Sequence, residues 1–297
     1  MILVRQPTKV ASIESIDQLH PPNRPPPMPR SPANPSPGTT RSLDLGQGVS
    51  LDLQYIPPGR FWMGSRDGNP EERPRHQVEI LQGFWLARTP TTLAQFQRFR
   101  PEHKNNFPNF PDDPRHPVIH VSWTDASAFC QWLTDDFLLR HQEWKTLRAQ
   151  LPTEAQWEYA CRGPDGNPLV ESEYWSGDGE AALNKIGWFC GNSAERLQLV
   201  GQKPANAWRL CDMHGLVWEW CQEEWNDRPY FSRPEIFAAP ANQVASSEWN
   251  YPRVGRGGSW IDGAASCRSA SKGGHGSACG NWRFGFRVAS VARSVRR

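Results

Sequence analysis

The residues with the widest chemical range in this chain are its seven cysteines, because a thiolate is both a nucleophile and a ligand for soft metal ions. They are widely spaced, at Cys130, Cys161, Cys190, Cys211, Cys221, Cys267 and Cys279. No two of them are separated by only two residues, which excludes the usual zinc-ribbon and thioredoxin motifs. The odd number also argues against a dense disulfide framework. We therefore expect most of them to be buried free thiols.

Two glutamates and three arginines also carry possible chemistry. Glu154 and Glu158 are four residues apart and would share one helix face, where paired carboxylates can do acid–base work. We expect instead that Glu154 stabilises the first helical turn and that Glu158 accepts a hydrogen bond in the core. Arg268, Arg283 and Arg287 could line a ligand pocket, but we expect them to hold loops by donating to backbone carbonyls.

Short elements must position these side chains. Alternating apolar residues predict strands at 51–56, 61–65 and 76–80, and glycine-bounded core strands are predicted at 218–220, 256–260 and 285–288. Apolar residues at helical spacing predict helices at 91–99, 123–133 and 151–160. Thr153 is the expected N-cap of the last helix, and either Ser122 or Thr124 caps the second.

Composition narrows the class of protein. The 297 residues carry a net charge of +2, which gives no electrostatic reason to expect nucleic-acid binding. No apolar run reaches the roughly 18 residues that a membrane-spanning helix needs. The first residues are also too short an apolar run for a secretory signal, so a cytoplasmic location is the default expectation. Fifteen tryptophans indicate a loop-rich fold held together by aromatic anchors.

The first 45 residues differ from the rest. Proline is dense between His20 and Gly38, which blocks helix and sheet hydrogen bonds and favours extended polyproline II. We expect residues 1–45 to be a disordered tail or linker, with a ligand for a proline-binding partner as the alternative. Residues 46–297 are then expected to form one domain.

A series of short segments gives the strongest family signal through its order. The segments are FWMGS at 61–65, ERPRH at 72–76, PV at 117–118 leading into VSW at 121–123, LPTEAQWEYA at 151–160, GQKPAN at 201–206, DMHGLVWEW at 212–220, RGGSW at 256–260 and GFR at 285–287. Together they resemble the formylglycine-generating enzyme, or sulfatase-modifying factor, family over about residues 50–290. The resemblance implies an α+β fold of the C-type lectin type with much irregular structure.

The same resemblance argues against catalysis. In true formylglycine generators, two cysteines after the Gly-Gly-Ser-aromatic segment bind copper, and thiolates suit cuprous ion. Cys267 matches the second of these positions, but Asp262 occupies the first, and Cys279 does not restore the spacing. We therefore expect no copper and no catalytic residue. A metal-dependent oxidase that uses Cys267 is the alternative.

A second enzymatic branch of the resemblance is the iron-dependent sulfoxide synthases, which carry a His-x3-His-x-Glu motif in an extra helical domain. His116 and His120 have the first spacing, but Ser122 stands in place of the glutamate. The Pro-Val-Ile sequence between the histidines predicts extended backbone, so the two imidazoles need not share a face. We expect two ordinary histidines here.

The segment DMHGLVWEW matches the part of the family that holds a structural calcium ion. By that match, Asp212 and Glu219 would supply carboxylate oxygens, and Gly215 and Val217 would supply backbone carbonyls. Calcium accepts such mixed oxygen ligands. The alternative is a metal-free loop in which Glu219 accepts hydrogen bonds from backbone amides.

The window at about 257–287 has stiff ends and a middle without a strand or helix pattern. It resembles the variable region of variable proteins from diversity-generating retroelements, some of which use this lectin-like domain. There, altered template adenines turn asparagine codons into codons for residues such as Ile, Asp, Gly, Ala, Ser and His. The candidate ligand-binding positions are Ile261, Asp262, Gly263, Ala265, Ser266, Ser271, Gly273, Gly274, His275, Gly276, Gly280, Trp282 and Phe284. Lys272 lies outside the reachable set and would be a fixed position.

The sequence therefore predicts a non-catalytic variable protein that displays changing side chains on a stable scaffold, because binding loops lie outside the packing core. Its partner is expected to be an unidentified protein or small molecule, and the chain is expected to be a monomer. Two other functions stay open, namely an oxidase or sulfoxide synthase and a structural accessory domain. A plain loop rich in small residues is the alternative explanation of the window.

Overall fold

The computed structural model describes residues 34–106, 112–164, 172–228, 230, 251–278 and 280–293. The chain divides into two units, 1–33 and 34–297. The first unit, which contains most of the predicted proline-rich tail, lies outside the described residues. Within the described part of the chain, no helix is long and apolar enough to cross a membrane.

The described elements are short and alternate irregularly between strands and helices. The strands are β1 (Thr40–Asp44), β2 (Ser50–Ile56), β3 (Gly59–Met63), β4 (His76–Ile80), β5 (Phe84–Ala87), β6 (Leu147–Gln150), β7 (Trp218–Glu224), β8 (Pro252–Arg256), β9 (Lys272–Gly276), β10 (Phe284–Gly285) and β11 (Ala289–Ala292). The α-helices are α1 (Leu93–Gln97), α2 (Trp123–Asp136), α3 (Glu154–Arg162) and α4 (Glu180–Ile186). Short 3₁₀ helices lie at Pro70–Glu72, Leu138–Arg140 and Ala264–Cys267.

The strands form three sheets. A five-stranded sheet has the order β1-β2-β5-β11-β6, a four-stranded sheet has the order β10-β7-β8-β9, and β3 pairs with β4. In the four-stranded sheet, β10 runs parallel to β7, whereas β8 is antiparallel to both β7 and β9. The predicted α+β class with much irregular structure is confirmed.

Three helices begin where hydroxyl side chains cap them. Thr92, Ser122 and Thr153 each accept a hydrogen bond from the backbone amide three residues on, and that residue's side chain accepts one from the cap's own amide. This reciprocal capping box satisfies two helix-end donors at once. The N-cap of α2 is therefore Ser122 and not Thr124, and Thr153 caps α3 as predicted.

Four sequence-based expectations are wrong. Residues 40–44 are not disordered, because β1 pairs antiparallel with β2 from Thr40 opposite Gln54 onward. The predicted strand at 256–260 ends at Arg256, because Gly257 and Gly258 turn the chain with φ values of 97° and 74°. The window expected to lack a strand contains β9, and the predicted last strand at 285–288 is replaced by β10 and β11.

The core depends on a buried guanidinium. Arg287 is fully buried and donates to both carboxylate oxygens of Glu219, at 2.6 and 2.7 Å. Its remaining donors reach the backbone carbonyls of Ala87, Cys211 and Asp212. One side chain therefore connects the end of β5, the loop before β7 and the segment after β10.

We predict that Arg287→Met destabilises the protein by about 3–5 kcal/mol, because it leaves the Glu219 carboxylate charged and buried. Urea unfolding followed by tryptophan fluorescence measures the change. The double variant Arg287→Met/Glu219→Gln should recover part of the loss, since no unpaired charge remains. Arg140→Gln, which removes an exposed pair with Asp136, is the matched control. A single variant as stable as this control would contradict the prediction.

Candidate functional site

The Gly-Gly turn after β8 is held by a buried ion-pair cluster. Arg256 donates to Glu158 and to the backbone carbonyls of Ser269, Ala270 and Ser271. Burial of Glu154 would raise its pKa, but Lys272 and Arg256 hold that pKa at about 2. Both glutamates are therefore charged and paired, which suits structure and not acid–base chemistry.

Lys272 belongs to this cluster. Its ammonium lies 3.0 Å from Glu154 Oε1 and 4.0 Å from the ring centre of Tyr230. Its side chain is fully buried, so a smaller or neutral residue at 272 would leave Glu154 without its closest cation. This contact gives Lys272 a structural task, as expected of a fixed position.

Asp262 is a structural residue. Its Oδ2 accepts hydrogen bonds from the backbone amide and the hydroxyl of Ser259 and from Trp218 Nε1 at 2.8 Å. Its Oδ1 lies 3.4 Å from Arg283 Nη1. Its carboxylate therefore fixes the turn that leads into the window, and a ligand contact at Asp262 stays a prediction.

Cys267 is fully buried, with its Sγ 3.8 Å from the carbonyl of Gly263. Burial raises the pKa of this thiol well above its usual value, so it is protonated at neutral pH. Six cysteines of the described residues, Cys267 among them, are free thiols, and Cys279 lies outside the described residues. Within the described ranges, no group of three His, Cys, Asp or Glu side chains could hold a metal ion.

The candidate ligand-binding positions separate by exposure. Gly263, Ala265 and Gly280 are exposed. Those that are partly buried are Ile261, Asp262, Ser266, Gly273, Gly274, His275, Gly276 and Trp282. The structure corrects the prediction at two positions. Ser271 and Phe284 are only 4% and 0% exposed, so their side chains contact the core and not a ligand. Phe284 packs against Trp220, with ring centres 4.4 Å apart.

The glycines of the window differ in the space around them. A Cβ atom on Gly263 would meet no atom within 4 Å, and one on Gly273 would come 3.0 Å from His275 Nε2. A Cβ on Gly274 would lie 2.2 Å from the indole of Trp225. On Gly280 it would lie 2.5 Å from the carbonyl oxygen of His120, which is backbone and cannot move aside. Gly263 is therefore open to side chains, whereas Gly274 and Gly280 are closed.

An aromatic surface lies beside the open positions. Four partly buried residues pack on one apolar cluster, and we call them the Trp282 face: Ile261, Trp282, Trp188 and Val200. Trp282 lies 5.4 Å from Trp260 between ring centres. Lys203 lies 4.2 Å from the Trp188 ring centre, and Arg283 lies 5.7 Å from that of Trp282. No motif relates Trp188, Val200 or Lys203 to the window, so their place beside it could not be predicted from the sequence.

Three of the four predicted calcium ligands already accept hydrogen bonds from other groups. Both Glu219 oxygens accept from Arg287, and one also accepts from Trp157 Nε1 at 2.7 Å. The carbonyl of Gly215 accepts from the amide of Val217. Asp212 Oδ2 accepts from the amide of Gly201, and burial raises the pKa of Asp212 to about 6. As placed, these residues do not fit a calcium shell, because a guanidinium already neutralises Glu219. This geometry argues against the calcium ion that the family resemblance implies.

The family follows from a comparison with known proteins. A family model described as sulfatase-modifying factor enzyme 1-like domain matches residues 50–292. The chain belongs to this family, which confirms the membership predicted from the order of its motifs. The segments that carried the resemblance, from β3 to β10, all lie within the matched range.

Three similar proteins illustrate the range of the family. Serine/threonine-protein kinase pkn1 of Chlamydia caviae is 27% identical over 82% of this chain, which spans 38% of that kinase's length. The inactive C-alpha-formylglycine-generating enzyme 2 of Bos taurus is 27% identical, covering 85% of this chain and 92% of that protein. Among solved structures, Treponema denticola variable protein 1 matches with a TM-score of 0.66 at 22% identity, covering 84% of this chain and 98% of that one. This last likeness shows the fold.

We predict that Gly263→Ala changes the free energy of unfolding by less than about 0.5 kcal/mol, because its new methyl group enters open space. Gly280→Ala should cost about 1–3 kcal/mol, because the methyl group overlaps the His120 carbonyl. Urea unfolding of the two variants in parallel measures the difference. Equal stabilities would show that the window relaxes freely at both positions.

We predict that calcium does not raise the thermal midpoint of EDTA-treated protein, because Arg287 keeps Glu219 engaged. Differential scanning calorimetry with and without added CaCl₂ measures this. Magnesium is the control for a general ionic effect. A rise with calcium that Asp212→Asn removes would instead support the metal site implied by the sequence.

Proposed function

We propose that this protein is a ligand-binding variable protein of a diversity-generating retroelement, with the window around the Trp282 face as its contact surface. The observation that carries the proposal is that one short segment contains two kinds of residue, those that hold the scaffold and those that are exposed. Buried, charged or backbone-bonded residues hold the scaffold, and the residues between them face open space.

The structural residues of the window are defined by their contacts. Cys267 is buried, Ser269 and Ser271 accept from Arg256 through their carbonyls, and Lys272 pairs with Glu154. Because their partners lie in α3 and β8, these residues keep the segment in place whatever the neighbouring side chains are.

The open residues form the proposed contact surface. Gly263 has free space around its Cα, and Ala265 and Ser266 follow on the 3₁₀ helix with exposed or half-exposed side chains. Ile261 and Trp282 add a half-buried apolar part. Substitutions at such positions remove few core contacts and cost little stability. The surface supplies binding without a fixed ligand, whose identity would change with the side chains.

Several findings support a binding function over an oxidase. The Cys267 thiol is buried and protonated, and the position of its expected copper-binding partner holds Asp262, which is committed to Ser259 and Trp218. One relative in the same family carries the word inactive in its name. The similar solved structure is a variable protein. The proposal includes an unidentified protein or small molecule as the ligand, and a monomeric chain.

Deep sequencing of this gene from a population of its source tests the proposal. Substitutions should be concentrated in codons 261, 263, 265, 266 and 282, with few at the codons for Asp262, Ser271, Gly274, Gly280 and Phe284. They should coincide with adenines in a nearby template copy. The matched control is the segment 252–256, whose strand β8 has buried residues and should be invariant. A window as invariant as β8 would overturn the proposal while leaving the family membership intact.

A further inference from the structure

A second surface, separate from the Trp282 face, contains a cleft with a volume of about 780 Å³. It lies between the turn after β3, the end of α3, the segment 172–178 and residues 268–270. Four arginines line it, together with hydroxyl and amide side chains: Arg66, Arg73, Arg162, Arg268, Ser65 and Asn69. We call it the arginine cleft.

Two of these arginines are held rigidly from behind. Arg268 donates to both oxygens of Glu72 at 2.9 Å, and Arg162 donates to Glu158 at 2.7 and 2.9 Å. Both carboxylates are fully buried, whereas the arginine side chains keep 16% and 10% of their surface exposed. The buried partners fix the orientation of each guanidinium before any ligand arrives, and such preorganisation reduces the entropy lost on binding.

These guanidiniums retain donors for a ligand. A guanidinium has five N–H groups. Arg268 uses Nε on the Ala265 carbonyl and one bond from each terminal nitrogen on Glu72. This leaves one N–H on each terminal nitrogen. Because Glu72 occupies the fork between these nitrogens, the two remaining N–H groups point to opposite edges of the guanidinium, and each can donate singly to a ligand oxygen. Arg73 is exposed, and within the described residues its side chain forms no ion pair.

The cleft is not uniformly positive. Asp67, Glu173 and Asp178 also line it, and the last two accept backbone amides at 2.8 and 2.7 Å within the turn that carries them. These carboxylates weaken the attraction for a bare anion. They also provide acceptors for hydroxyl donors, beside the hydroxyl group of Ser172. The lining therefore suits a ligand with one anionic group and several hydroxyl groups.

We infer that the arginine cleft binds a small hydroxylated molecule that carries one phosphate or carboxylate group, of the sugar phosphate or hexuronate class. Arg268, Arg162 and Arg73 bind the anionic group. Asp67, Asn69 and Ser172 bind hydroxyl groups. This site does not depend on the proposed variable function, because it shares none of the residues of the Trp282 face.

Isothermal titration calorimetry of the whole chain at low ionic strength tests the inference. Glucose 6-phosphate and galacturonate are the two anionic probes, and inorganic phosphate and glucose each carry one half of the chemistry. Binding in the millimolar range or tighter is expected for at least one anionic probe, and weaker binding for phosphate and glucose. The stronger of the two anionic probes identifies the anionic group.

Matched variants locate the binding. Arg73→Gln and Arg268→Lys should each weaken binding by about tenfold. The first removes an exposed cation, and the second keeps a positive charge but lacks the fixed planar N–H donors that Arg268 retains beside Glu72. Arg60→Gln, at an exposed arginine paired with Glu79 outside the cleft, should change it by less than about twofold. Thermal unfolding checks each variant, and Arg73→Gln decides the matter if Arg268→Lys does not fold.

Three outcomes would overturn the inference. The first is no binding of either anionic probe. The second is binding of inorganic phosphate as tight as that of glucose 6-phosphate, since the hydroxyl-binding residues would then contribute nothing. The third is binding that Arg73→Gln leaves unchanged or that Arg60→Gln weakens equally.

Discussion

Backbone carbonyls in loops need hydrogen-bond donors, and in this protein two buried guanidiniums supply many of them. Regular sheets satisfy their own backbone groups, but a loop-rich core has no such ladder. Arg287 donates to carbonyls at the end of β5 and in the loop before β7, and Arg256 donates to three consecutive carbonyls at 269–271. Each arginine is balanced by a buried glutamate, Glu219 or Glu158. The positions of the surrounding loops depend on these two pairs.

The proposed contact surface follows from this arrangement. The Gly257–Gly258 turn and Asp262 fix the start of this segment. Its later part is fixed by the hydrogen bond from Arg256 to the Ser269 carbonyl and by the ion pair between Lys272 and Glu154. Between these anchors, a side chain at position 263 would meet no other atom within 4 Å of its Cβ. Binding surfaces with replaceable side chains require such a separation, because a core residue that changes would alter the fold together with the ligand preference.

Much of the fold could be predicted from local sequence signals. The capping boxes of α1, α2 and α3 are visible because a hydroxyl residue precedes a Gln or Asp at the right spacing. β9 could not be predicted, since Gly-Gly-His-Gly has weak strand propensity and pairs only because β8 lies beside it. For the site, the small residues indicated where the window lies but not which of its side chains are buried. Tertiary packing buries Phe284 and Ser271 and brings Trp188 in from another segment. No local sequence pattern indicates either of these features.

The close approach of Gly280 to the His120 carbonyl has a consequence at the level of populations. If a copying process changes codons throughout the window, each position that accepts only glycine removes a large share of the products at the folding step. The pool of proteins that ever meets a ligand is then much smaller than the pool of DNA sequences. The number of closed positions in the window, as much as the number of open ones, would therefore determine how many different receptors a cell lineage can sample.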